Sequence, residues 1–338
     1  MSMNLKGRSF LTLLDYTKEE ILYLLQVSTT LKEKKKQGKK ETLLAGKNVV
    51  LLFEKTSTRT RSAFEVGLMD EGAGVTFLGM SDSQFGKKES IEDSAKVLGR
   101  IYDGIEFRGY SQKTVEDLAK YSGVPVFNGL TDFDHPTQAL ADFLTMSEHI
   151  QKPYEKMKLV FVGDGRNNVA NCLLICAAKL GANFTIYAPP QLYPDPVLLK
   201  RIMDISKESN SIITVTSDPE QALLHADALY TDIWCSMGEE HLIQERVSLL
   251  SPYRVTMEML EKTQNPDVIF MHCLPAFHDQ NTSFAQKAME EMSLDICEVT
   301  DEVFRSKHSV VFDEAENRLH TIKAILVTHI AGDILNYI

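Results

Sequence analysis

Residues 53–67 read FEKTSTRTRSAFEVG, and the apolar run NVVLLF (residues 48–53) leads into them. A short unbroken apolar run suits a strand buried on both faces, as in a parallel sheet. From residue 59 to 70 the spacing becomes helical. A strand that turns at once into a helix is the opening of a βα unit. The turn carries Ser57, Thr58, Arg59, Thr60 and Arg61. At a helix start, backbone N–H groups and the helix dipole favour an anion, and three hydroxyls and a guanidinium add further donors. The spacing is not a P-loop, because no GxxxxGK[ST] is present. The plainer reading is a polar turn with Ser57 as N-cap.

The same alternation runs outward in both directions. Thr17 and Glu20 form a capping-box pattern that opens a first helix, TKEEILYLLQVSTTLKEKK. After NVVLLF come the candidate strands GVTFL, GIEF and VPVFN, with helical segments at 59–70, 90–102, 113–121 and 136–149. A second series begins near residue 156: KLVFVGD, NFTIYAP, SIITVTSD, DALYTD and DVIFMHC, with helices at 168–180 and 196–209. The pattern predicts an α/β protein of two doubly wound parallel-sheet domains, covering residues 1–150 and 151–318. A long last helix, FDEAENRLHTIKAILVTHIAGDIL, is expected to pack back on the first domain, so that residues 319–338 rejoin it. The 338 residues also exceed what one core usually serves.

A net charge of −11 argues against a nucleic-acid partner, so an anionic substrate needs a local basic pocket. The basic tract at 32–40, KEKKKQGKK, lacks aromatics and reads as a solvated helix end. No apolar run is long enough to span a bilayer, and the first residues lack the apolar core of a secretory signal. Five cysteines without CxxC spacing fit reduced thiols, and a cytoplasmic location is expected. Cys172 and Cys176, four apart on an apolar helix, read as core.

Further polar residues stand at other strand ends, which meet along one edge of a parallel sheet. IEFRGY places Arg108 there, and HPTQALAD places His135 and Gln138 at a helix start with Pro136 in its first turn. Convergence of Arg59, Arg108 and His135 suits a carbonyl oxygen that gains charge. FVGDGRNNVAN resembles a dinucleotide loop, yet Asn168 stands at the third glycine position and no acid follows for a ribose. Asn167 and Asn168 read as caps, or as polar groups for a carboxylate or amine. TDIWCSMGEE offers Asp232 for an ammonium, with Ser236 and Met237 beside it, or a capped surface loop. MHCLPAFHD sets Cys273 next to His272. Neighbours on a strand point to opposite faces, so the pair is not expected to form a nucleophile–base dyad.

In combination, FEKTSTRTR, HPTQALAD, DIWCSMGE and MHCLPA resemble the carbamoyltransferase family, and the SMG and HCLP motifs resemble its ornithine branch. The resemblance implies transfer of a carbamoyl group from carbamoyl phosphate to the δ-amine of L-ornithine, giving L-citrulline and phosphate in arginine metabolism. It implies direct attack without a covalent intermediate, in a site shared between domains and subunits. It places carbamoyl phosphate on Ser57, Thr58, Arg59, Thr60, Arg108, His135, Gln138, Cys273, Leu274 and Arg318, with Gln84 from the neighbouring subunit. It places ornithine on Asn168, Asp232, Ser236 and Met237, and gives Arg108, His135 and Cys273 catalytic parts. No metal or organic cofactor is implied, and the assembly is a homotrimer or a multiple of one. Rival readings are a carbamoyltransferase for another amine such as putrescine, a nicotinamide dehydrogenase resting on VGDGRNN, and a silent subunit.

Overall fold

The computed structural model describes residues 3–39, 41–79, 85, 88–235 and 238–334. Gln84, Ser236 and Met237 therefore lie outside the described residues. The chain divides into two compact units: Met1–Leu144 with Ala315–Ile338, and Thr145–Glu314.

The first unit begins with α1 (Lys18–Lys36), where Thr17 and Glu20 form the expected capping box. Then follow β1 (Asn48–Phe53), α2 (Thr58–Asp70), β2 (Gly74–Gly79), α3 (Ile91–Ile101), β3 (Gly104–Arg108), α4 (Gln112–Ser122), β4 (Val126–Leu130) and α5 (Pro136–His149). The strands form a parallel sheet in the order β2-β1-β3-β4. Side chains alternate across it. Val50, Leu52, Ile105, Phe107 and Val126 pack with Ala95 of α3 and with Val115 and Leu118 of α4. The alternate residues of β3, Glu106 and Arg108, belong to the opposite face, and both are buried.

The second unit holds β5 (Lys158–Val162), α6 (Asn168–Leu180), β6 (Asn183–Tyr187), α7 (Pro196–Ser209), β7 (Ile213–Thr216), α8 (Pro219–Leu223), β8 (Ala228–Thr231), α9 (Ile243–Leu250), α10 (Met257–Glu261), β9 (Ile269–His272), α11 (Ser283–Met292) and α12 (Asp301–Phe304). Its parallel sheet runs β7-β6-β5-β8-β9. Cys172 and Cys176 are fully buried on α6, as their spacing predicts.

The last helix, α13 (Val311–Ile330), carries its later residues into the first unit. Lys32 Nζ donates to Asn317 Oδ1 at 2.7 Å, and Tyr16 Oη lies 2.7 Å from His329 Nε2. The helix is shorter than the pattern predicted, which ran it to residue 335. Gly332 takes φ +113, a conformation outside the helix that glycine adopts without a Cβ penalty.

The two sheet orders place the loops that carry the polar motifs. In the first sheet β1 lies between β2 and β3, so the winding reverses between β1 and β3. In the second it reverses between β5 and β8. Crevices at such reversals, beyond the carboxyl ends of the strands, are where open α/β sheets bind ligands. The segments leaving these strands are the STRTR turn, Arg108, the residues from Gly163 to Asn168, and Asp232.

Candidate active site

In the first unit Ser57 caps α2: its Oγ accepts the backbone N–H of Thr60 at 3.1 Å. Thr58 is exposed, Arg59 half-buried and Thr60 buried. The two arginines of the opening stretch part company. Arg61 lies over the Phe77 ring at 3.6 Å and pairs with Glu65 at 2.8 Å, so it braces the helix against edge strand β2. Arg59, by contrast, lies near enough to His135 to act on its charge.

Thr60 Oγ1 is the meeting point. It accepts Arg318 Nη2 at 3.0 Å and Arg108 Nη1 at 3.3 Å. Arg318, 3 % exposed, also donates to Gln138 Oε1 at 2.5 Å and to Thr137 Oγ1 at 3.3 Å, and lies 3.5 Å from His135 Nε2. Gln138 Nε2 donates in turn to Asp142 Oδ1 at 2.7 Å, which fixes its amide. Burial, then the guanidinium groups of Arg318, Arg108 and Arg59, hold the His135 pKa well below its ordinary value. His135 is thus a neutral imidazole beside three cations. Such a group donates a hydrogen bond to a developing oxyanion without adding charge.

Sequence reasoning missed Glu106. Its carboxyl is fully buried, and neither oxygen has a hydrogen-bond partner among the described residues. A Cβ at Gly129 would lie 1.9 Å from Oε1, so the carboxyl occupies the space a side chain at this β4 position would need. Burial pushes its pKa well above the usual carboxylate range, against the pull of Arg108 and Arg318. The signal was an acid inside the apolar strand GIEFR.

In the second unit Asp232 leaves β8 and Asn167 caps α6. Asn167 Oδ1 accepts Val169 N at 2.6 Å, and its Nδ2 donates to Asp232 Oδ2 at 3.0 Å. Asp232 Oδ1 accepts the Ile233 N–H at 2.8 Å and the Cys273 thiol at 3.2 Å. Burial raises the Asp232 pKa; His272, Cys273, the Ile233 amide and Asn167 pull it back. Asn168 is the first residue of α6, one position beyond the residue that touches Asp232. The turn itself is tied down by Arg246, which pairs with Asp164 at 2.6 Å.

The reason expected for His272 and Cys273 not pairing needs correction: β9 ends at His272, so the two are not neighbours within a strand, and the Cys273 thiol turns to Asp232 instead. Asp232, His272 and Cys273 each place a donor atom within 4.8 Å of the others. That trio has the elements of a metal site, but both imidazole nitrogens are engaged: Nδ1 accepts Leu274 N at 2.9 Å and Nε2 meets Glu298 Oε1 at 3.0 Å. A second trio, His278, Asp279 and Asp301, lies against Arg305, whose guanidinium bonds Asp301 at 2.8 Å and already offsets the acidic charge.

The glycines of VGDGRNN have a packing explanation. Gly163 takes φ +133. A Cβ on Gly165 would lie 2.8 Å from both Ile186 Cγ2 and Leu192 O. Neither glycine needs a dinucleotide to account for it. Among the described residues no helix is long and apolar enough to cross a membrane.

Residues 8–148 match the family model of the aspartate/ornithine carbamoyltransferase carbamoyl-P binding domain, and residues 155–329 match that of the Asp/Orn binding domain. The chain is 61% identical over 328 residues to the "ornithine carbamoyltransferase, catabolic" of Clostridium perfringens, covering 97% of this chain and 98% of the relative. It is 56% identical to the protein of the same name from Bacillus licheniformis, covering 98% and 99%. Among solved structures, ornithine carbamoyltransferase from Pyrococcus furiosus superposes with a TM-score of 0.88 at 42% identity, covering 98% of this chain and 99% of that one. With both halves matched in order and curated relatives above half identity over nearly the whole length, the chain belongs to the aspartate/ornithine carbamoyltransferase family.

Proposed function

We propose that the chain transfers the carbamoyl group of carbamoyl phosphate to L-ornithine, releasing L-citrulline and phosphate. The observation that carries this is the meeting of Arg108 and Arg318 on Thr60 Oγ1, at the N-terminus of α2 and beside a neutral His135. A dianionic phosphate suits the cations and the helix start. The carbamoyl oxygen, which gains charge as the amine adds, suits His135, Arg108 and Thr60. We assign Ser57, Thr58, Arg59, Gln138, Leu274 and Arg318 to carbamoyl phosphate as well.

Ornithine falls to the second unit, on Asn168, Asp232, Ser236 and Met237. An alkylammonium is protonated at neutral pH and must lose a proton before it attacks. The Asp232 carboxylate is oriented by Asn167 and the Cys273 thiol, so it and Cys273 are the groups to receive the δ-ammonium. The nitrogen–carbon bond forms as the carbon–oxygen bond to phosphate breaks. The nitrogen gives up two protons in all: one is released before the attack, and the leaving phosphate takes the other with the electron pair. Catalysis then comes from charge stabilisation and positioning by the chain's own side chains.

Citrulline formation measured in parallel with ornithine, lysine, putrescine and aspartate tests the reading. Ornithine is expected to be strongly preferred. Preference for putrescine would overturn the acceptor assignment. The name carried by the Clostridium and Bacillus relatives supports a catabolic direction. A deletion strain should then lose growth on arginine as energy source while still making its own arginine. We further propose a homotrimer or a multiple of one, with Gln84 reaching the neighbouring subunit's carbamoyl phosphate, and a cytoplasmic location.

A further inference from the structure

The turn after β9 carries Cys273 and Leu274, and Leu274 is held at φ +58. Left-handed backbone is costly for a residue with a side chain and persists only when its surroundings enforce it. The enforcing contacts start from two fully buried side chains, His272 and Glu298. Leu274 N donates to His272 Nδ1 at 2.9 Å. An N–H cannot donate to a protonated nitrogen, so Nδ1 carries the lone pair and the ring proton sits on Nε2. That proton points at Glu298 Oε1, 3.0 Å away. The same oxygen accepts the backbone N–H of Phe277 at 2.7 Å. One carboxyl oxygen therefore holds the imidazole and the far end of the turn together.

The two side chains are themselves anchored. His272 N donates to Glu314 Oε2 at 2.9 Å, and Glu314 Oε1 accepts Tyr230 Oη at 3.0 Å. Glu298 O accepts Val255 N at 2.9 Å, and Val255 sits in the core of the second unit. Between these anchors the turn delivers Cys273 Sγ to Asp232 Oδ1 at 3.2 Å.

We propose that His272 and Glu298 are positioning residues for carbamoyl transfer: His272 acts through Nδ1 as an acceptor that holds the Cys273–Leu274 turn in place, not as a base for the Cys273 thiol. This rests on the function proposed above. The wild-type assay tests that function, whereas the ranking of variants below tests the positioning role.

Asparagine and glutamine divide the two halves of an imidazole. In His272→Asn the amide oxygen stands near Nδ1 and can still accept the Leu274 N–H. In His272→Gln the amide stands near Nε2, reaches Glu298 and leaves Leu274 N without its acceptor. Loss of a buried hydrogen-bond partner is large enough to separate the two by about tenfold or more. We expect His272→Asn to keep a kcat about tenfold or more above those of His272→Gln and His272→Ala. Melting temperatures should fall by similar amounts in the Asn and Gln variants, since each loses one contact. The pH profile of kcat in His272→Asn should keep the wild-type limbs. Equal losses in the Asn and Gln variants, or a limb of the profile that vanishes with the imidazole, would overturn the proposal. Should the His272 variants fail to fold, Glu298→Gln decides. Its amide oxygen can accept both bonds, so activity within about fivefold of wild type is expected; a folded Glu298→Gln protein that has lost a hundredfold refutes it.

Discussion

Replacing Arg318 with Gln removes the guanidinium that joins the last helix to Thr60 and Gln138, in the proposed anion site. In the wild-type protein this 3 % exposed side chain donates to Gln138, Thr60 and Thr137 and lies against His135. Two separate effects follow. Losing charged hydrogen bonds costs stability, but relief of the desolvated cation offsets part of it, so the net loss should be about 1–3 kcal/mol. Binding loses one charge-assisted contact to a dianion, worth about 2–3 kcal/mol, or roughly 30- to 150-fold in the carbamoyl phosphate dissociation constant. Arg318 is also the foremost charge depressing the His135 pKa, so that pKa should rise in the variant. Calorimetric titration with carbamoyl phosphate, beside a urea melt, separates affinity from folding. A folded variant that binds carbamoyl phosphate as tightly as wild type would refute the assignment of Arg318 to the anion, and with it the meeting on Thr60 as the functional centre.

Three other outcomes are expected. Asp232→Asn should weaken ornithine binding by about tenfold or more while leaving carbamoyl phosphate affinity within about twofold, measured by calorimetry with each ligand; equal losses would point to misfolding. Mixing Arg59→Ala subunits with Gln84→Ala subunits, each nearly inactive alone, should restore roughly a quarter of wild-type activity if every site draws on two subunits; mixed oligomers without activity would sink the shared site. Finally, burial lowers the His329 pKa to about 4, with Tyr16 donating to Nε2 and Nδ1 donating to Ile325 O. The unfolded chain protonates this histidine first, near pH 6.5, so its contribution is complete above that pH and is lost as pH falls toward 4. The loss amounts to about 3 kcal/mol. Carboxyls with raised pKa oppose this trend, so the measure is the difference between wild type and His329→Gln in urea melts at pH 7.5 and 5. No difference in slope would refute it.

Local chemistry was readable because it is written within a few residues. Thr17 and Glu20, or Ser57 and the amide of Thr60, lie three apart and need no knowledge of the fold. Strand and helix periods gave the two sheets in the same way. What stayed hidden depends on contacts far apart in sequence. Arg59 and Arg61 look alike in STRTR, and only the neighbouring strand, through Phe77, takes Arg61 away from the site. Arg318 reaches Thr60 across 258 positions, and no periodicity reports such a contact. His272 was set aside as a partner for the Cys273 thiol, but only the contacts of its two ring nitrogens, with Leu274 N and with Glu298 across 26 positions, give it a part in holding the turn.

The loop VGDGRNN shows why topology decides function more firmly than a local motif. Its glycines match two positions of a nucleotide fingerprint, yet each is required by backbone conformation or by a close neighbour. The sheet order says where the loop lies. Because β5 has β6 on one side and β8 on the other, the segments leaving β5 and β8 face each other across a reversal of winding. Asn167 from one and Asp232 from the other meet at 3.0 Å. The first sheet repeats the arrangement, with the turn after β1 and the end of β3 bringing Thr60 and Arg108 together at 3.3 Å. The same winding thus builds a cationic cluster in one unit and a carboxylate-centred one in the other. The difference lies in a few side chains: hydroxyls and guanidinium groups suit an anion, and an oriented aspartate suits an ammonium.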